Sequence, residues 1–333
     1  LSRQDRLGLQ AALEAVADAG LDGRQLSSAA LLVGTGAGGA LRTEGYQMRL
    51  SRFGERGAPA SWLLSHQPAS TADLIAARLG CRGVRGSIMT ACSSSATTIG
   101  LALDLIRLGR AKRVLAGGVE SICRLTFGGF SSLRAMDPEP CRPFHRQRRG
   151  LTLGDGAAML VLEDAGEARR RGRQPYAELA GYGVSADAHH MTAPAPDGRG
   201  AAAAMQAALA DAGMAPEAVQ YINAHGTATS HNDPMEVRAI RQVFGRNAGR
   251  IPVSSTKAMT GHTLGAAGAI EAAICVLALQ QGLVPATLRL DDPDPACDLD
   301  HVPRRSRRQT LEVALSNSFA FGGNNTTLVF RRT

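Results

Sequence analysis

The pattern of apolar and polar positions runs through the chain twice. Residues 12–21 and 205–214 each place small and large apolar residues on one helical face, and each ends near a glycine, Gly20 or Gly213, suited to a left-handed cap. A short strand-like run follows each helix, 30–35 in the first copy and 219–225 in the second, leading into glycine-containing loops. Helices are predicted again over 98–106 and 267–277. Further strands are predicted at 113–118 and 157–162, then at 313–316 and 327–330. The repeated order helix, strand, strand, helix calls for an α/β fold with mixed sheets and helices packed on them. Two copies are too few for a solenoid, so a pseudo-two-fold duplicated domain is expected, split into residues 1–175 and 176–333. The copies differ where they begin. Residues 176–183 make a strand-like lead-in to the second copy, whereas the first opens at its helix, from Leu1. A lead-in strand is therefore expected to be missing, and the chain is read as a fragment.

Composition narrows the class. With 333 residues, 44% of them hydrophobic, the chain can bury a large core. No apolar run is read as approaching a bilayer span, and the N-terminus lacks the apolar core of a signal peptide, so a soluble cytoplasmic protein is expected. The six cysteines form no CxxC pair and no cysteine–histidine ligand spacing, which argues against a zinc site or a disulfide framework. The net charge of +8 is concentrated in arginine clusters at 142–149, 169–173 and 304–308, but aromatic content is only 4%. These clusters read as solvated turns and helix ends rather than a nucleic-acid surface, with part of the charge available to steer an acidic protein partner.

Three stretches carry candidate chemistry. Cys92 follows the strand-like 86–90 and precedes Ser93-Ser94-Ser95-Ala96, small residues that permit a sharp strand-to-helix elbow. A helix start there would lower the thiol pKa and favour a nucleophile. His225 stands in Asn223-Ala224-His225-Gly226-Thr227-Ala228-Thr229 at a strand end, with two threonine hydroxyls placed to hold a polar substrate arm. His262, in Lys257-Ala258-Met259-Thr260-Gly261-His262, is expected at a helix N-terminus, where the dipole would keep it neutral as an N–H donor to an oxyanion. Lys257, if buried, needs a counter-charge, and Glu271 in the following apolar helix is the candidate.

Taken in order and spacing, Thr90-Ala91-Cys92-Ser93-Ser94, Asn223-Ala224-His225-Gly226-Thr227, Lys257 to His262, and Asn317-Ser318-Phe319-Ala320-Phe321-Gly322-Gly323-Asn324-Asn325 resemble the motifs of β-ketoacyl-acyl carrier protein synthases of the elongating type. The resemblance covers essentially the whole chain. It implies a thiolase-like fold, two similar halves in α-β-α-β-α layers, with the nucleophile in the first half and both histidines in the second. It also implies the reaction. Cys92 accepts an acyl group from the phosphopantetheine arm of acyl carrier protein, and malonyl carrier protein then loses carbon dioxide and condenses with it. His225 and His262 stabilise the enolate, and Lys257 with Glu271 organises the site. The backbone N–H groups of Cys92 and Phe321 form the oxyanion hole, Thr227 and Thr229 hold the pantetheine, and Phe321 with Gly322 gates the pocket. No metal or organic cofactor is implied. The implied partners are acyl carrier protein, with Arg134 as a candidate contact, and a second ketosynthase chain in a homodimer or heterodimer.

The chain departs from the family pattern at Ala320, where glycine is common, at Asn324, where threonine is common, and at Val84-Arg85-Gly86. A Cβ at position 320 is expected to restrict the gate. The alternative reading, a non-catalytic chain-length subunit of a heterodimer, is opposed by the presence of Cys92 and both histidines. A condensing enzyme that starts from acyl-coenzyme A would resemble a Cys-His-Asn arrangement, and a degradative thiolase would need a second cysteine near the C-terminal glycine loop.

Overall fold

Eleven strands and eleven α-helices alternate along the chain in a computed structural model that describes all 333 residues. The first half contains α1 (Arg3–Ala19), α2 (Gly23–Ser27), β1 (Ala30–Gly34), α3 (Ala40–Phe53), α4 (Ser70–Leu79), β2 (Arg85–Ile88), α5 (Ser94–Arg107), β3 (Arg113–Glu120), α6 (Arg124–Ser132), β4 (Gly156–Glu163) and α7 (Ala165–Arg170). The second contains β5 (Glu178–Ala186), α8 (Arg199–Asp211), β6 (Tyr221–Asn223), α9 (Asn232–Phe244), β7 (Val253–Ser254), α10 (Lys257–Thr260), α11 (Ala267–Gln281), β8 (Leu283–Val284), β9 (Arg307–Arg308), β10 (Val313–Ala320) and β11 (Asn324–Arg331). Local signals set the ends of the first helix. Ser2 and Asp5 form a capping box at the start of α1, and Gly20 closes it at φ 59°.

The strand pairing confirms the duplication. The first sheet has the order β2-β1-β3-β4 and the second β7-β6-β10-β11-β5. In both, a central strand pairs in parallel with two neighbours (β1 with β2 and β3, β6 with β7 and β10), and the fourth strand, β4 or β11, runs antiparallel to the third. The lead-in strand β5 extends the second sheet by pairing with β11, while β4 pairs with β3 alone.

Helices α1 and α4 cover the outer face of the first sheet, α8 the outer face of the second, and α5 and α11 lie between the sheets. Three buried apolar clusters fill the spaces between these layers. A fully buried leucine or isoleucine such as Leu115, Ile99 or Ile222 contributes about 1.5–3 kcal/mol. Small residues let the central helices approach. A Cβ on Gly268 of α11 would lie 2.7 Å from Ala96 Cβ of α5, and one on Gly34 would lie 2.5 Å from the Ser95 nitrogen.

Two expectations need correcting. The stretch Leu264–Gln281 is in fact long and apolar enough to cross a membrane by composition, with mean hydropathy 1.5, yet it forms the central helix between two sheets and so reads as core. The arginine clusters are not uniformly solvated. Arg148 is buried against Asp294 at 2.5 Å, and Arg171 pairs with Glu163 at 2.7 Å. Arginine spacing shows charge density but not which guanidinium meets a carboxylate from a distant loop.

Candidate active site

The chain reverses sharply after β2. Ala91 takes a left-handed φ of 50°, and Ala91–Ser93 form a single 3₁₀ turn before α5 begins at Ser94. The serines that suggested an elbow also fasten it. Ser94 Oγ accepts from the Thr90 N–H at 2.9 Å, and Ser93 Oγ donates to the Thr90 carbonyl at 2.9 Å. Cys92 is thereby held almost fully buried, beside the apolar side chains of Leu151, Leu153 and Leu264.

The second half supplies the histidines. Beyond β6 the loop passes through Gly226 at φ 38° and Ala228 at φ 64°. A Cβ at Gly226 would lie 2.5 Å from Ser255 Cβ, so the loop is closely fitted. Glu236 of α9 accepts hydrogen bonds from the N–H groups of His225 and Gly226, each at 2.8 Å. Asp233, one turn earlier, accepts from Ala228 N–H at 3.1 Å. On the other strand connection, the His262 backbone pairs with Thr152 and Gly154.

These elements bring the expected residues into one line. His262 Nε2 lies 3.1 Å from Cys92 Sγ, and the rings of His262 and His225 meet edge to face with centroids 5.3 Å apart. Lys257 Nζ lies 3.4 Å from His225 Nδ1 and forms an ion pair with Glu271, as the need for a counter-charge predicted. Lysine offers only donors, so His225 Nδ1 must be the unprotonated nitrogen and Nε2 carries the hydrogen. Burial holds both histidines well below the ordinary imidazole range, reinforced by Lys257 and, for His225, by His262. Both are therefore neutral donors rather than cations.

The helix-terminus reasons expected for the charge states of His262 and Cys92 do not hold. His262 precedes a 3₁₀ turn (Leu264–Ala266) and lies five positions ahead of α11, so burial and Lys257, not a helix terminus, keep it neutral. Burial likewise pushes the Cys92 thiol up to about 11, outweighing Lys257 and the Phe321 N–H. The expected lowered thiol pKa is overturned because the elbow takes the sulfur out of water.

The C-terminal loop closes the site. The Phe321 N–H favours the ionised Cys92 sulfur, and the Phe321 ring stacks on Phe130 with centroids 5.5 Å apart. Ala320 sits at φ −127°, an extended conformation open to any residue, so its Cβ strains nothing in this state. The turn is made instead at Gly322 and Gly323, with φ of 81° and 73°. Asn324 Nδ2 donates to the Phe321 carbonyl at 3.3 Å, and the Gly322 N–H donates to the Met191 carbonyl at 2.8 Å. The hydroxyls of Thr227 and Thr229 lie 3.0 Å apart on the His225 loop. Arg134 stands apart from this cluster, exposed at a left-handed turn after α6. Glu236, Asp233 and Glu120 were missed in the sequence. Most of their partners are backbone N–H groups, which no residue pattern announces.

A duplicated, layered α/β fold that closes a buried cysteine against two neutral histidines defines an acyl-transferring enzyme of thiolase-like fold. The chain belongs to the β-ketoacyl synthase family: residues 1–168 match the model of the beta-ketoacyl synthase N-terminal domain and residues 176–291 that of the C-terminal domain. It is 45% identical over 311 residues to a 3-oxoacyl-[acyl-carrier-protein] synthase 2 of Synechocystis sp. (strain ATCC 27184 / PCC 6803 / Kazusa), covering 91% of this chain and 74% of that one. Among solved structures, the ishigamide ketosynthase/chain length factor superposes with a TM-score of 0.96 at 34% identity, covering all of this chain and 83% of that one. A complex titled as AntDE:AntF, a type II PKS acyl-carrier protein with its ketosynthase bound to the hexaketide, gives 0.94 at 33% identity, covering all of this chain and 86% of that one.

Proposed function

We propose that this chain condenses an acyl thioester on Cys92 with a malonyl thioester, both delivered on the phosphopantetheine arm of an acyl carrier protein, to give a 3-oxoacyl product. The observation that carries the reading is the 3.1 Å approach of His262 Nε2 to Cys92 Sγ in a buried site whose second histidine is fixed as an Nε2–H donor by Lys257. Cys92 Sγ attacks the acyl thioester carbonyl. The bond to the pantetheine sulfur breaks, and the proton that Sγ gave up ends on the departing thiol. The malonyl group next loses carbon dioxide, and the electron pair of the broken carbon–carbon bond moves onto the thioester oxygen. Neutral N–H donors on His225 and His262 stabilise that enolate. Its carbon attacks the Cys92 thioester, whose oxygen is held by the N–H groups of Cys92 and Phe321. The carbon–Sγ bond then breaks, and the sulfur, with its pKa pushed up to about 11, takes up a proton from water. Protein groups and water suffice for these steps.

Thr227 and Thr229 hold the pantetheine arm in this reading. Phe321 gates the acyl pocket through the turn at Gly322, Lys257 and Glu271 hold His225 in register, and Arg134 meets the acidic carrier protein. A second ketosynthase-type chain completes the particle, a reading supported by the ketosynthase/chain length factor pair among the similar structures. A cytoplasmic location accords with this activity. Whether the chain serves fatty acid or polyketide elongation is decided by the acyl groups it accepts.

Intact-protein mass spectrometry tests the reading. The chain is mixed with acyl carrier proteins of several chain lengths and then with malonyl carrier protein, with Cys92→Ala alongside. An acyl adduct that requires Cys92 and is discharged as a 3-oxoacyl product is expected. Absence of an adduct with every donor overturns the reading and favours the non-catalytic subunit.

A further inference from the structure

His225 is held by a buried carboxylate that accepts the N–H groups of its own loop. The His262 turn has a comparable carboxylate, but it comes from the other half of the molecule. Glu120, the last residue of β3, is fully buried. Its Oε2 accepts from Gly36 N–H at 2.6 Å and from Gly265 N–H at 3.1 Å, and its Oε1 accepts from Ala37 N–H at 3.0 Å. Gly265 lies in the turn just after His262, and Gly36 and Ala37 lie in the loop after β1. That loop braces the nucleophile elbow, since Ser94 Oγ donates to the Thr35 carbonyl at 3.1 Å. The two loops are in close apposition, because a Cβ on Gly265 would lie 2.4 Å from the Gly36 nitrogen.

We propose that Glu120 is a positioning residue that sets His262 against Cys92 by tying the turn of the one to the loop that braces the other. The inference rests on the role given to His262 above. One acceptor group here serves three donors from both halves, so the separation of Cys92 from His262 is fixed at a single point between them. Only a carboxylate offers acceptors to all three donors at once. A glutamine in its place turns one of the two oxygens into an NH₂ group facing backbone N–H donors, and at least one tie is lost. Burial raises the Glu120 carboxyl to about 7, partly opposed by these same N–H groups, so it is kept at a cost that a passive surface carboxylate would not carry.

The test compares Glu120→Gln with Glu236→Gln in the full chain labelled with ¹⁵N-histidine, the ring signals being assigned with His225→Ala and His262→Ala. For Glu120→Gln, the His262 ring signals are expected to shift while those of His225 stay in place. Decarboxylation of malonyl carrier protein is expected to fall about 10- to 100-fold with KM unchanged. For Glu236→Gln, the ring shift is expected at His225 instead. Unmoved His262 signals, or both histidines moving together, overturn the proposal. Because the ring signals are read without turnover, a His262→Ala variant with normal decarboxylation overturns the role of His262 while the signals still decide the tie. If Glu120→Gln does not fold, Glu120→Asp, which keeps the charge and shortens the reach, is read in the same way. Failure of both to fold assigns Glu120 to general stability and overturns the proposal.

Discussion

Strands β4 and β11 occupy equivalent places in the two sheets, yet their burial is the reverse of what their sequences suggest. β4 runs Gly156-Ala157-Ala158-Met159-Leu160-Val161-Leu162-Glu163 and is partly exposed at every position. β11 begins Asn324-Asn325-Thr326-Thr327 and is buried from Asn325 to Phe330. The difference lies in their neighbours: β11 is flanked by β10 and β5, whereas β4 has β3 alone. Its polar residues are buried because they are satisfied. Thr327 Oγ1 donates to Asn317 Oδ1 at 2.9 Å, and Asn325 Nδ2 donates to Asp187 at 2.7 Å. The chemistry is divided in a similar way. The first half builds its contribution from backbone, a strained turn that aims one sulfur. The second builds it from two imidazoles that burial, reinforced by Lys257, holds neutral.

That division can be broken by experiment. Cys92→Ala is expected to abolish the acyl adduct and lower condensation by about 1,000-fold or more, while malonyl decarboxylation, proposed to belong to the histidines, continues; carbon dioxide release and intact mass separate the two. His225→Ala is the converse, with decarboxylation down about 100- to 1,000-fold and the adduct on Cys92 retained. Alkylation of Cys92 by iodoacetamide should be slow at pH 7 and rise about tenfold per pH unit toward about 11, since the thiolate fraction grows as pH approaches the raised pKa. A plateau below pH 8 would show that the elbow lowers the thiol pKa after all.

Stability sharpens the comparison further. Lys257→Met strands Glu271 in the core and should cost about 3–5 kcal/mol in urea unfolding, with the Lys257→Met/Glu271→Met pair recovering much of it. The smallest effects separate two glycines. Gly118→Ala drives a Cβ to 2.5 Å from Ser95 Cβ and to 2.8 Å from the Gly265 carbonyl of the other half, and should cost about 1–3 kcal/mol. Gly128→Ala, in α6 with open space around it, should be neutral or stabilising by up to about 1 kcal/mol.

The ion pair of Lys257 with Glu271 was legible in the sequence because a lysine inside apolar surroundings demands one partner, and the next helix offers one acidic residue. The elbow at Cys92 was legible from its small residues. The charge states of the Cys92 thiol and of His262 were assigned to helix termini, which sequence suggests, when burial governs them. Arg148 and Arg171 looked like solvated charge because their carboxylate partners are Asp294 and Glu163 of separate segments.

By itself the sequence determined the duplicated α/β order, most of the strands, the helices α1, α5, α8 and α11, and the residues offered as reacting groups. Those follow from local periodicity and from residue types that few other positions could use. Only the tertiary structure decided how far each group is removed from water and which backbone N–H groups meet Glu120 and Glu236. Desolvation is a property of everything packed around a residue, and a backbone donor has no side chain through which a sequence could announce it.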